Sequence, residues 1–219
     1  MTEFIRPFGP TIYKNRLTRD QIDFLQDVAK LTKQARNDVS ATLVGNIENQ
    51  LGCFLKSKKD HDKFYDIMKY HLIEYVHYEH NRKIKHFSKG DPARVIDIEL
   101  DYGQGPWINF QQAGEFNSIH SHSGEISAVV YIDIPEEINN EVNVPGCGHP
   151  DAPGQIEFIY GIDGCGSYGS IPQEAITGDI YLFPSSLKHT VYPFRSDVTR
   201  ISMSFNINNY RPIIEQESK

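Results

Sequence analysis

Four residues carry the chemistry most legible in this chain: His120 and His122, then His189 and Arg200. Two imidazoles at i and i+2 on a strand leave the same face, because side chains alternate with period two. Both can then grip one metal ion while a third ligand arrives from another strand. Arg200 lies eleven residues past His189 in an alternating segment, and its planar guanidinium suits a carboxylate. The set describes an open, non-haem metal centre that works with an acidic co-substrate. The plain alternative is chance, since the chain has nine histidines among 219 residues. Taken singly, each histidine is more often packing or surface than ligand; order and spacing together carry the assignment.

The elements that must position these residues fall into two halves. Pro7 and Pro10 keep residues 3–14 extended. Thr18 reads as an N-cap with Gln21 three positions on, so a helix is expected over residues 19–36. A second amphipathic helix is expected over residues 61–83. Its apolar stripe runs through Phe64, Ile67, Met68, His71, Leu72, Tyr75 and Val76, where His71 is a packed core histidine rather than a ligand. From Gly90 onward the hydrophobic period changes to two. Strands are expected at residues 94–100, 107–111, 126–134, 155–160, 179–183, 188–192 and 199–206, separated by Gly- and Pro-rich turns. Helices first and seven or more short strands after predict an α+β chain, residues 1–219 forming one domain. Residues 1–90 are the helical support region and 91–210 an antiparallel barrel or double-sheet jelly roll. A hairpin around Ser196 and Asp197 is expected to set His189 and Arg200 on neighbouring strands. The long Gly-rich segments 135–153 and 161–172 are candidates for a substrate lid.

Composition narrows the class. Hydrophobic residues make up 39% and charged residues 23%, ordinary for a globular protein. A net charge of −7 argues against a nucleic-acid partner, and the basic run at residues 56–59 reads as a solvated turn. No secretory signal or spanning segment is evident, so no membrane partner is expected. Three cysteines, none in a CxxC pair, fit a reduced, cytoplasmic setting. Cys147, His149 and Cys165 share a Gly/Pro-rich region and form a minor zinc-clip candidate.

The segments WINFQQAGEFNSIHSHSGEISAVVYI, GDIYLFPSSLKHTVYPF and RISMSFN resemble the iron(II)/2-oxoglutarate-dependent oxygenases, and among them a prolyl-4-hydroxylase-like subgroup of bacteria and phages. The resemblance covers residues 95–206 and implies a double-stranded β-helix, a distorted jelly roll with N-terminal helices packed on one sheet. It implies Fe(II) and 2-oxoglutarate as cofactor and co-substrate. The implied reaction is oxidative decarboxylation of 2-oxoglutarate by oxygen, coupled to hydroxylation of a C–H bond. Peptidyl proline is the first substrate to consider, with a free amino acid or other small molecule behind it. On the same basis His120 matches the first iron ligand and His189 the distal one. Arg200 matches the residue that binds the far carboxylate of 2-oxoglutarate, Ser202 completes an Arg-x-Ser pattern, and Tyr131 matches a co-substrate tyrosine. Asn109 is a weaker candidate for the pocket wall.

One departure stands out, because most of that superfamily carries a carboxylate where this chain has His122. The third ligand is then His122, Glu125 or water, with His122 favoured by its spacing. Imidazole in place of a carboxylate raises the charge of the centre by one. Two rival readings remain: a cupin-type metalloenzyme that does not use 2-oxoglutarate, with Glu125 as its carboxylate, or a non-catalytic jelly-roll binding module. Arg200 separates the first rival from the main reading, and metal uptake separates the second.

Overall fold

The computed structural model describes residues 9–87, 93–103, 105–141, 152–162, 164 and 168–215. A short strand, β1 (Tyr13–Arg16), leads into helix α1 (Arg19–Ala35). The expected capping box starts that helix: the Thr18 hydroxyl accepts from the Gln21 backbone N–H at 3.4 Å, and the Gln21 side chain accepts from the Thr18 N–H at 2.8 Å. It ends where Arg36 turns left-handed at φ 53°. After β2 (Gln50–Gly52) comes α2 (Lys58–Phe87), longer at both ends than the hydrophobic stripe predicts. Its start is another reciprocal cap, in which Asp60 accepts from the Ser57 N–H and the Ser57 hydroxyl accepts from the Asp60 N–H. The basic run at 56–59 is therefore the exposed entrance to a helix.

The strands then follow as β3 (Val95–Tyr102), β4 (Trp107–Gln111), β5 (Asn117–His120) and β6 (Ile126–Asp133). A short helix α3 (Glu136–Asn139) precedes β7 (Ile156–Ile159), β8 (Ser170–Gln173), β9 (Asp179–Pro184), β10 (Lys188–Val191) and the long β11 (Arg200–Ile214). All pairings are antiparallel. The larger sheet has seven strands in the order β1-β9-β6-β11-β4-β2, with β3 on the far half of β11. The smaller has four, β5-β10-β7-β8. Two facing sheets of this kind form the expected jelly roll, and α1 and α2 pack on the outer side of the larger one.

Strand β6 shows why the sequence folds this way. Ala128, Val130 and Ile132 pack with helix residues Leu25, Met68 and Leu72 in one core, while Val129 and Tyr131 face Phe158, Tyr181 and Phe183 in a second core between the sheets. Both faces are dry, so the strand reads as a near-continuous apolar run. Each large side chain removed from water there contributes about 1.5–3 kcal/mol. On β11 the same alternation sends Met203, Phe205 and Ile207 to the helix side and leaves Arg200, Ser202 and Ser204 for the space between the sheets.

Several expectations change. β1, β2 and β8 fall in stretches too short to show a period; β1 is held by the buried Asp179 carboxylate, which takes Lys14 at 3.0 Å and Arg16 at 2.8 Å. The expected hairpin that would set His189 beside Arg200 does not form: β10 pairs with β5 and β7 in the smaller sheet, and β11 with β4 and β6 in the larger. The connection crosses between sheets, because both β11 edges near Arg200 are already taken. The lid candidate 161–172 gives its last residues to β8 and part of 135–153 forms α3, while residues 142–151, 163 and 165–167 of the two candidates lie outside the described residues. Cys147, His149 and Cys165 lie outside the described residues.

Candidate metal centre and anion pocket

His120 closes β5 and His189 sits in β10, directly opposite it in register. A bulge between the two strands lets Asn117 share the inward side with His120, and both line the same cavity. His122 arrives differently from its spacing-based expectation, since β5 stops at His120. A turn brings it back: the His122 N–H donates to the Ser185 carbonyl at 2.8 Å, and the Ser185 N–H donates to the Glu125 carbonyl at 3.1 Å. Gly124 sits at φ +95° in that turn, and a Cβ there would lie 2.6 Å from the Ile207 carbonyl oxygen. Only glycine fits both the conformation and the gap.

The three rings converge. Their centroids lie 4.2 Å apart for His120 and His189, 4.9 Å for His120 and His122, and 5.2 Å for His122 and His189. One nitrogen from each lies within 4.8 Å of the others. Ligand nitrogens at about 2.1 Å from one ion are at most about 4.2 Å apart, so a small side-chain rotation closes the site. The tautomers are prepared too. His120 Nδ1 faces the Ser118 carbonyl at 2.6 Å and His189 Nδ1 faces the Leu187 carbonyl at 3.0 Å. A carbonyl only accepts, so each Nδ1 carries the proton and each Nε2 keeps its lone pair.

Burial holds these imidazoles neutral. It lowers the pKa of His189 to about 3 and of His122 to about 4, with the neighbouring imidazoles adding to the effect, and it also lowers His120. Neutral rings are what a metal requires. Glu125, the alternative third ligand, is exposed and is not among the residues whose ligand atoms converge.

The same cavity reaches Arg200, which is 2% exposed. Its Nη1 donates to Gln111 Oε1 at 3.2 Å and to Ser202 Oγ at 3.0 Å, and its guanidinium lies 4.9 Å from the centre of the Tyr131 ring. Neither of those hydrogen-bond partners is charged. Arg200 Nε, the Tyr131 hydroxyl and Asn109 Oδ1 are all buried without a hydrogen-bond partner. Burial lowers the Arg200 pKa, against the pull of Tyr131, and raises that of Tyr131, against the pull of Arg200. A buried cation costs several kcal/mol unless an anion joins it. The two donors among these atoms, Arg200 Nε and the Tyr131 hydroxyl, suit an acidic ligand, whereas Asn109 Oδ1 can only accept.

Register explains how distant candidates meet. On β11, Ser202 pairs with Asn109 of β4 on one side and Tyr131 of β6 on the other. Asn109, Ser202 and Tyr131 therefore form one row across three strands, and Arg200 stands two pairs further along, opposite Gln111. The structure thus brings every expected residue to one cavity: His120, His122, His189, Arg200, Ser202, Tyr131 and Asn109.

Gln111 was not among them, although it orients Arg200 while its amide donates to the Glu115 and Tyr192 carbonyls at 2.7 Å and 3.2 Å. Nothing in its sequence context marks it, because its role comes from the pairing register. Leu43, Val44 and Ile47 were also missed, and they form an apolar wall of the cavity with Trp107. Their segment is pinned to the residues that lead into β5 by the Asn46 N–H to the Phe116 carbonyl at 2.8 Å and by the Glu48 N–H to the Glu115 carboxylate at 3.0 Å.

Residues 105–206 match a family described as "Putative 2OG-Fe(II) oxygenase". No curated protein matches the chain. Among solved structures it is similar to a Pseudomonas putida prolyl-4-hydroxylase, at 14% identity and TM-score 0.51 over 90% of this chain and 92% of that one. It is also similar to a prolyl hydroxylase from Trichoplax adhaerens in complex with a hypoxia inducible factor oxygen degradation domain peptide fragment. There the identity is 13% and the TM-score 0.51, over 91% of this chain and 84% of that one. At such identities the likeness is one of fold. No helix among the described residues is long and apolar enough to cross a membrane.

Proposed function

We propose that the chain, whose residues 105–206 match a 2OG-Fe(II) oxygenase family, is such an oxygenase, that His120, His122 and His189 hold its iron(II) and that Arg200 receives its 2-oxoglutarate. On this reading the chain is a dioxygenase with that cofactor pair. The observation carrying the residue assignment is a single cavity with three convergent neutral imidazoles at one place and a buried arginine without a carboxylate partner at another.

When bound, the pair supplies one reaction: 2-oxoglutarate, oxygen and R–H become succinate, carbon dioxide and R–OH. The chain's own residues bind and orient. Arg200 offers its free donors to the far carboxylate of 2-oxoglutarate, a charge-assisted contact that excludes neutral analogues. Tyr131 adds its unpartnered hydroxyl, and Ser202 and Gln111 keep the guanidinium aimed. Asn109 forms the pocket wall beside them. Tyr131, Phe158 and Phe183 keep that end of the cavity dry, which strengthens each polar contact made there.

For the substrate, the fold shared with two prolyl hydroxylases makes a prolyl C–H bond the first one to test, with free amino acids and other small molecules next. The decisive experiment is anaerobic addition of iron(II) and 2-oxoglutarate, followed by visible absorbance. A metal-to-ligand charge-transfer band is expected in the wild type and is expected to be absent in Arg200→Ala. Wild-type protein that binds iron but gives no band would defeat the reading. A band that survives Arg200→Ala would remove Arg200 from it.

A further inference from the structure

Charge in the cavity does not balance once the site is filled. The lining residues include no aspartate or glutamate, and Arg200 is the one lysine or arginine among them. Nearby acids are committed elsewhere among the described residues. Glu115 accepts from the Glu48 and Gln112 N–H groups at 3.0 Å and 2.7 Å, and Glu125 is exposed beyond the turn that carries His122. Tyr131 stays a neutral phenol. Two positive charges on the metal and one on Arg200 meet the two negative charges of 2-oxoglutarate, leaving one positive charge with no protein anion beside it. A carboxylate in place of His122 would have cancelled it.

We infer that this pocket takes a substrate bearing one negatively charged group, such as the carboxylate of a free amino acid, a small aliphatic acid or a peptide C-terminus. The inference rests on the reading above and narrows its substrate, setting an internal, neutral prolyl residue behind an acid. The remainder of the substrate is uncharged and aliphatic, because the wall it meets is Leu43, Val44, Ile47 and Trp107. That wall is a fixed surface: a Cβ on Gly45 would lie 2.3 Å from the Phe116 carbonyl oxygen, so the backbone there is pressed against the segment that leads into β5. In a cleft of low dielectric an unbalanced charge acts strongly on a small ion at short range.

The test uses anaerobic protein loaded with cobalt(II) and saturating 2-oxoglutarate. It is titrated with propionate and with propionamide, a neutral molecule of nearly the same shape, and the visible bands of cobalt report binding. Wild type is expected to bind propionate about tenfold or more tighter than propionamide. His122→Asp, which adds the missing negative charge, is expected to reduce that ratio to about threefold or less. Should that variant not fold, Ser204→Asp places a carboxylate in the cavity wall instead and carries the same expectation. Equal affinities in the wild type overturn the inference, as does a tenfold preference that the added carboxylate leaves unchanged. Cobalt and 2-oxoglutarate binding without an acid preference defeats this inference alone. Failure of the wild type to take up cobalt defeats the function proposed above and this inference with it.

Discussion

His120 and His189 stand directly opposite each other on paired strands of the smaller sheet, with ring centroids 4.2 Å apart. Strand pairing sets that distance, so these two rings are preorganised by the backbone, whereas His122 depends on a turn. Metal uptake follows from the arrangement. His120→Ala and His189→Ala are each expected to lower affinity for iron(II) or cobalt(II) by about 100-fold, measured by calorimetric titration, as loss of a ligand exceeds the 10–100-fold typical of an outer-shell partner. In the wild type, metal at about 100 times its dissociation constant adds about 2.7 kcal/mol of stability. The melting temperature should rise by roughly 5–10 °C. No rise in the wild type would count against a metal centre here.

Much of this could be read from residue types, and the rest fails for identifiable reasons. Helix α1 and the strands at residues 107–111, 126–134 and 179–183 carry clear apolar patterns or caps and appear within a residue or two, while α2 extends three residues earlier and four later than its stripe predicts. β1, β2 and β8 have three or four residues each, fewer than a period needs. Their pairing is decided by neighbours such as Asp179. His120, His189 and Arg200 were legible because their chemistry is rare in combination. Their relation was not: which sheet a strand joins after a crossing depends on which edges are free, so Arg200 came out facing the histidines across the cavity rather than beside them. Gln111 and the wall at Leu43, Val44 and Ile47 have meaning only through register and tertiary contact.

Acid should weaken the metal-free protein in a defined window. Burial sets the folded-state pKa of His71 and His122 at about 4 and of His189 at about 3, below the ordinary 6.5. Between pH 6.5 and those values the unfolded chain binds more protons than the folded one, so stability falls as pH falls. The contribution is complete above 6.5 and is lost progressively toward pH 4 and 3. Urea midpoints of metal-free protein at pH 7.5, 6 and 5 should decline in that order. A flat series would mean that these rings are not neutral and buried in solution. His71→Gln should flatten the slope without touching the metal site, since His71 packs against Tyr13 and Tyr70 on the helix side.

Gly124→Ala tests the turn. The substitution touches no ligand, but it puts a Cβ 2.6 Å from the Ile207 carbonyl oxygen at φ +95°, a conformation that suits glycine. The turn should shift and take His122 with it. Metal affinity is expected to fall by about tenfold, the range seen when a group that orients a ligand is lost, while circular dichroism stays that of the wild type. Unchanged affinity would show that His122 is not needed as the third ligand, leaving His120, His189 and water.

Arg200→Met separates stability from function. The guanidinium is buried, its hydrogen-bond partners Gln111 and Ser202 are neutral, and its Nε has none. Holding a cation there costs free energy that Gln111, Ser202 and the Tyr131 ring offset in part and a bound anion offsets further. Methionine keeps most of the length and none of the charge, so the free protein should gain on the order of 1–2 kcal/mol against urea. The same variant should bind 2-oxoglutarate roughly 30-fold more weakly or worse, because a desolvated charge contact is worth about 2–5 kcal/mol. The two effects together have a clear thermal signature. Saturating 2-oxoglutarate should raise the melting temperature of metal-loaded wild type and leave that of Arg200→Met nearly unmoved. If the methionine variant is instead the less stable protein, the arginine already has its stabilising partners within the fold. The case for an acidic ligand at this place would then lose its physical basis.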